Sequence, residues 1–97
     1  MLDVKRLKVL REVSRCGSFS SAAESLTYTQ SAVSQQIAAL EREAGTSLVE
    51  RGARGVTLTD AGRALVAHTD VVLQRLADAE LELDAIAGIR AGRVRIV

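Results

Sequence analysis

Gly17–Leu40 reads GSFSSAAESLTYTQSAVSQQIAAL, and the fold turns on how this stretch is parsed. Phe19, Ala22, Ala23 and Leu26 recur at helical spacing, and Ser18 stands where an N-cap belongs, so a short helix is expected over about 19–26. Thr27-Tyr28-Thr29 makes a three-residue turn. Thr29 then caps a second helix over about 30–44, stopped by Gly45. That second helix carries Gln30, Ser31, Ser34, Gln35 and Gln36 on one side and Ala32, Val33, Ile37 and Leu40 on the other. Two helices, a tight turn and apolar anchors at Leu26, Val33 and Ile37 fit a helix-turn-helix. The Gln/Ser edge has the chemistry to hydrogen-bond base edges and phosphates while the apolar side seats the helix on a core.

Upstream, Val4, Leu7, Leu10 and Val13 predict an amphipathic helix over about 3–16, closed by Gly17. Downstream the period changes. Leu48–Arg51 and Val56–Leu58 are β-prone pieces around Gly52-Ala53-Arg54-Gly55, which predicts a hairpin with an arginine at its tip, a wing. Thr59 caps a long helix running to about residue 87, with Asp60 favourably near its positive end. Leu65, Thr69, Val72, Leu76, Ala79, Leu83 and Ile86 follow heptad steps, a seam suited to a second chain. Val66, Leu73, Ala77 and Leu81 form another stripe that can pack on the first helix. Such a helix, at about 1.5 Å per residue, is some 40–45 Å long, more than so small a domain covers. Arg93–Val97 alternates like a strand without a partner, so a longer protein is expected to continue beyond it.

The chain has 97 residues, 47% of them apolar but only 2% aromatic, with no proline, so Leu, Val, Ile and Ala must build one thin core. The lone Cys16 excludes an internal disulfide and suits a reducing compartment; as a free thiol it reads as a small core-side hydrophobe. No apolar run reaches membrane-spanning length and the charged N-terminus is not signal-like, so a cytoplasmic protein is expected. The net charge of +1 says little about partners. Residues 1–58 carry eight Lys/Arg against six Asp/Glu and residues 59–97 five against six, so nucleic-acid binding must rest on a local patch.

Taken together, GSFSSAAESL, TQSAVSQQIAALE, the Glu50-Arg51 pair and Leu58-Thr59-Asp60-Ala61-Gly62 resemble the amino-terminal domain of LysR-type transcriptional regulators over about residues 3–90. The resemblance implies a mainly α fold: a winged helix-turn-helix of three helices and a two-stranded wing (1–58), a dimerising linker helix (59–88), then a hinge opening an effector-binding domain (89–97). It implies homodimers, assembling as dimers of dimers in the whole protein, on imperfect inverted repeats of double-stranded DNA. Val49 stands where the family usually has Phe, Ser31 where proline is common, and Gln35 where many relatives carry arginine.

Gln30 and Gln35 are the candidate base readers, since an amide offers the donor and acceptor that match adenine N6 and N7. Ser31 and Ser34 suit phosphates, and Gln36 sits further round as a rim residue. Ser20 and Ser21 begin a helix whose free amides can hold a phosphate, although simple capping explains them equally well. The resemblance adds Arg51 and Thr59 as backbone contacts. Arg54 at the wing tip suits a narrow minor groove. Leu65, Val72, Leu76, Ala79, Leu83 and Ile86 are the candidate dimer contacts. His68 is alone and reads as a flank residue. With one His, one Cys, no phosphate loop and no metal-ligand spacing, an enzyme is excluded and neither cofactor nor metal is expected. The rival readings are a coiled-coil adaptor built on residues 60–87, which leaves the Gln/Ser edge and the wing without a purpose, and the related winged domain of molybdate-responsive regulators.

Overall fold

The computed structural model describes residues 1–90, as α1 (Val4–Cys16), α2 (Phe19–Leu26), α3 (Gln30–Ala44), β1 (Val49–Gly52), β2 (Gly55–Leu58) and α4 (Asp60–Arg90). This is the expected winged helix-turn-helix with a long fourth helix. The sequence expectation for Arg93–Val97 lies outside the described residues.

Side chains start each helix. The carboxylate of Asp3 accepts from the Lys5 amide at 2.8 Å, Ser18 Oγ from Ser21 at 3.1 Å, Thr29 Oγ1 from Ala32 at 3.0 Å and Thr59 Oγ1 from Gly62 at 3.0 Å. Such caps satisfy amides that a helix cannot pair internally. α1 and α3 end on the left-handed glycines Gly17 and Gly45, whereas α2 ends on Thr27 at φ 58, a left-handed conformation unusual for a β-branched residue. The strain is localised at the turn that aims α3, where the Tyr28 amide bonds the Ala23 carbonyl at 2.9 Å.

The core is Leu7, Val9, Leu10, Val13, Phe19, Ala22, Ala23, Val33, Ile37, Leu40 and Leu48. In α1 the inward positions differ from the three-residue pattern: Val9 is buried and Val4 is 38% exposed. α1 is the central helix, touching α2, α3, α4 and β2, so its buried arc is wider than a one-sided helix shows.

The wing is an antiparallel pair in the register Val49↔Leu58 to Gly52↔Gly55, turned by Ala53-Arg54. It is clamped to the α1–α2 corner, where the Val56 amide donates to the Gly17 carbonyl at 2.9 Å. Gly55, at φ 114, sits so close that a Cβ would lie 2.5 Å from that same carbonyl oxygen. Gly62, in the first turn of α4, is there for contact. A Cβ on it would fall 2.1 Å from the Leu48 carbonyl oxygen, so α4 leaves the domain with its first turn pressed on the strand entry.

α4 is 31 residues long and passes through Gly88 to Arg90, three residues beyond the expected end near 87. Its length gives the molecule extents of 57 × 26 × 18 Å.

Candidate nucleic-acid interface

α3 separates its two sides as the residues require. Val33, Ile37 and Leu40 are at most 2% exposed, while Gln30, Ser31 and Gln35 lie on the surface and Ser34 is half-buried between them. The two candidate readers therefore share one exposed edge near the start of the helix. Gln36 leaves that edge. Arg6 of α1 donates from Nε to its Oε1 at 3.1 Å and pairs with Glu43 at 2.6 Å, stapling α1 to α3.

α2 contributes Ser20 and Ser21, both exposed on its first turn. Ser18 already caps Ser21, and the Ala22 amide bonds the Ser18 carbonyl at 3.2 Å. The amides of Phe19 and Ser20 remain as the uncapped donors of α2, a small positive end beside α3.

The wing supplies Arg51 and Arg54. Arg54 is exposed in the two-residue turn. Arg51 does what sequence reading did not anticipate: its guanidinium carbon lies 4.4 Å from the Phe19 ring centroid, and its Nη2 donates to Ser34 Oγ at 3.2 Å. One cation thus joins the wing, the first turn of α2 and the exposed edge of α3. Phe19 is distant in sequence and reads as an ordinary core residue, so no local signal reveals the pairing.

Thr59 proves to be a joint. Its hydroxyl donates to the Ser47 carbonyl at 2.7 Å and accepts from Gly62, while its amide donates to the Leu48 carbonyl at 3.0 Å. A phosphate would compete with those bonds. Glu41, which the sequence did not single out, holds the same corner. Its Oε2 accepts from the amides of Leu48 at 2.8 Å and Val49 at 3.4 Å and from Ser47 Oγ at 3.3 Å. A carboxylate taking several donors fixes the strand entry relative to α3.

The heptad seam splits. Leu65 packs against the domain's own core and Thr69 is 1% exposed, its hydroxyl bonded to the Leu65 carbonyl at 2.8 Å. Val72, Leu76, Ala79, Leu83 and Ile86 are exposed. In the second stripe Val66 does pack on the core and Leu73 is half-buried, but Ala77 and Leu81 are exposed.

At the far end of α1, Cys16 is half-buried and donates to Glu12 Oε1 at 3.5 Å. Desolvation and the adjacent carboxylate push its thiol above the ordinary value. Desolvation acts to raise the Glu12 carboxyl too, but its bonds from Arg15, Cys16 and Ser25 outweigh this and hold it below the usual range. His68 is exposed, and among the described residues no group of three or more His, Cys, Asp or Glu is placed to hold a metal. No helix of the described residues is long and apolar enough to cross a membrane.

Residues 4–63 match the family described as bacterial regulatory helix-turn-helix protein, lysR family. The chain is 41% identical over 93 residues to the HTH-type transcriptional regulator CbbR of Rhodospirillum rubrum, a match covering 96% of this chain and 31% of that protein. It is 38% identical over 95 residues to the nitrogen assimilation regulatory protein nac of Escherichia coli, covering 98% of this chain and 31% of that protein. The chain therefore spans about a third of the length of these curated relatives. Among solved structures it is similar to the CbnR_DBD-DNA complex, with a TM-score of 0.84 at 30% identity, covering 89% of this chain and 99% of that one. The BenM_DBD/benA site 1 DNA complex gives a TM-score of 0.83 at 29% identity, covering 88% and 99%. With the motifs, the wing and the exposed helix edge in place, the chain belongs to the LysR family of bacterial transcriptional regulators and is a winged helix-turn-helix DNA-binding domain of that family.

Proposed function

We propose that this domain reads double-stranded DNA by sequence, with α3 in the major groove and the wing on the neighbouring backbone or minor groove. The observation that carries the reading is the division of α3: an exposed Gln30/Ser31/Gln35 edge set opposite Val33, Ile37 and Leu40, which are buried. Gln30 and Gln35 read bases, and Ser31 and Ser34 contact the sugar-phosphate backbone, as do Ser20, Ser21 and Arg51. Thr59 contributes by holding the wing in place, and a phosphate contact from it would require its internal bonds to rearrange. Arg54 enters the minor groove. The solved complexes of similar domains with DNA support this assignment.

The domain acts as a homodimer on an imperfect inverted repeat, joined through the exposed part of α4 at Val72, Leu76, Ala79, Leu83 and Ile86. Heptad spacing and exposure favour that seam. A coiled-coil adaptor would use the same seam and leave the α3 edge idle, so DNA selectivity separates the two readings.

The test is selection from a random DNA pool followed by gel shifts, comparing wild type with Gln30→Ala/Gln35→Ala. Wild type is expected to enrich AT-containing imperfect palindromes. Each lost bidentate contact removes about 1–3 kcal/mol of discrimination. The variant should keep only weak binding that falls steeply with salt, since phosphate contacts remain. Equal affinity of both proteins for all sequences would refute base reading by these glutamines.

A further inference from the structure

We infer that Arg51 sets the hydrogen-bond polarity of Ser34, turning that hydroxyl into an outward donor that selects an acceptor atom on the DNA. The inference rests on the DNA-binding reading above and deepens it. A guanidinium carries donors only, so the 3.2 Å bond from Arg51 Nη2 requires the Ser34 oxygen to accept. The hydroxyl hydrogen is then directed away from the arginine. Ser34 is half-buried on the Gln30/Ser31 side of α3, and its hydroxyl makes no other hydrogen bond among the described residues.

Left alone, a helical serine turns its hydrogen to the carbonyl one turn back in its own helix. Accepting from a cation instead strengthens the same hydroxyl as a donor. Its complement is a phosphate oxygen or a purine N7, guanine O6 or thymine O4, and it disfavours the amino groups of adenine and cytosine. The arginine is held for this task. It lies 4.4 Å from the centroid of Phe19, a ring only 5% exposed and packed in the core, so the stacking partner does not move away. Nε and Nη1 of Arg51 remain for a phosphate, so positioning Ser34 and binding the backbone do not conflict. Arg51 is here a positioning residue, acting on the DNA through a neighbour as well as directly.

The experiment is a double-mutant cycle on the duplex that wild type selects from a random pool, using Ser34→Ala, Arg51→Lys and the double variant. Arg51→Lys keeps the charge and loses the planar fork. With thermal unfolding read in parallel, Ser34→Ala is expected to weaken wild-type binding about five- to tenfold, the scale of one net hydrogen bond. In the Arg51→Lys background the same change should cost about twofold or less. Duplexes carrying 7-deazapurines, methylphosphonates or bases lacking one amino group then locate the partner: removing one acceptor should abolish the Ser34→Ala penalty. An equal penalty in both backgrounds, no penalty in either, or a penalty that vanishes only when an amino group is deleted would overturn the inference while leaving base reading by the glutamines intact. A wild type that enriches no sequence would overturn the DNA reading itself.

Discussion

The two halves of α4 have similar apolar content and opposite fates. In the first, Ala61, Leu65 and Val66 pack on the core, Gly62 touches the Leu48 carbonyl, and Thr69 is buried. In the second, Leu76, Leu81, Leu83 and Ile89 are between 48% and 79% exposed. One continuous helix is thus a domain element at its start and a mostly exposed rod at its end. Arg11 of α1 pairs with Asp70 at 3.7 Å near the point where the change occurs. The difference shows that burial is assigned by what lies alongside a residue and not by its own hydropathy.

The contrast can be tested from both ends, and the largest effect is expected in the packed part. Leu40→Ala, at a site with no exposure, should cost about 2–5 kcal/mol in urea unfolding, because neighbours on α3 and across the core cannot close the space. A loss under about 0.5 kcal/mol would mean that the helical core is not the cooperative unit.

Leu76→Asp with Leu83→Asp addresses the rod. The expected result is a monomer by sedimentation with unchanged helix content, and a urea midpoint that no longer depends on protein concentration, since mass action links dimerisation to stability. A persistent dimer would place the seam elsewhere.

The smallest effect concerns Cys16, on the packed side. Its thiol is held protonated above the usual range, and the thiolate is the reactive form, so alkylation at neutral pH should run slower than for a free thiol. The rate should rise with pH only beyond the ordinary thiol value. Glu12→Gln removes the neighbouring negative charge and should shift that profile to lower pH. An unshifted profile would show that the carboxylate does not act on the thiol.

Much of the architecture was legible because the signals were local. Ser18, Thr29 and Thr59 were readable as caps from their own positions, and Gly17 and Gly45 as helix ends. The Gln30/Gln35 edge followed from helical spacing. What escaped were pairings across the fold: Arg51 with Phe19 and Ser34, Arg6 with Gln36 and Glu43, and Glu41 with the amides of Leu48 and Val49. Arg6 and Gln36 are 30 residues apart, and no periodicity couples positions at such separations. The same holds for the burial at the start of the heptad stripe. Leu65 and Thr69 match a heptad as well as Val72 does, yet the domain's own α1 and core lie beside them.

By itself the sequence determined where helices begin and end, which edge of α3 is polar, and that a two-residue turn lifts Arg54, because caps, glycines and the 3.6-residue period act within a few residues. Only the tertiary structure decided that Val9 is inside and Val4 outside, that Gln36 turns to α1 and leaves the reading edge, and that half of α4 is already occupied. Those outcomes depend on which surfaces meet, and apolar burial and side-chain hydrogen bonds are properties of the pair that meets.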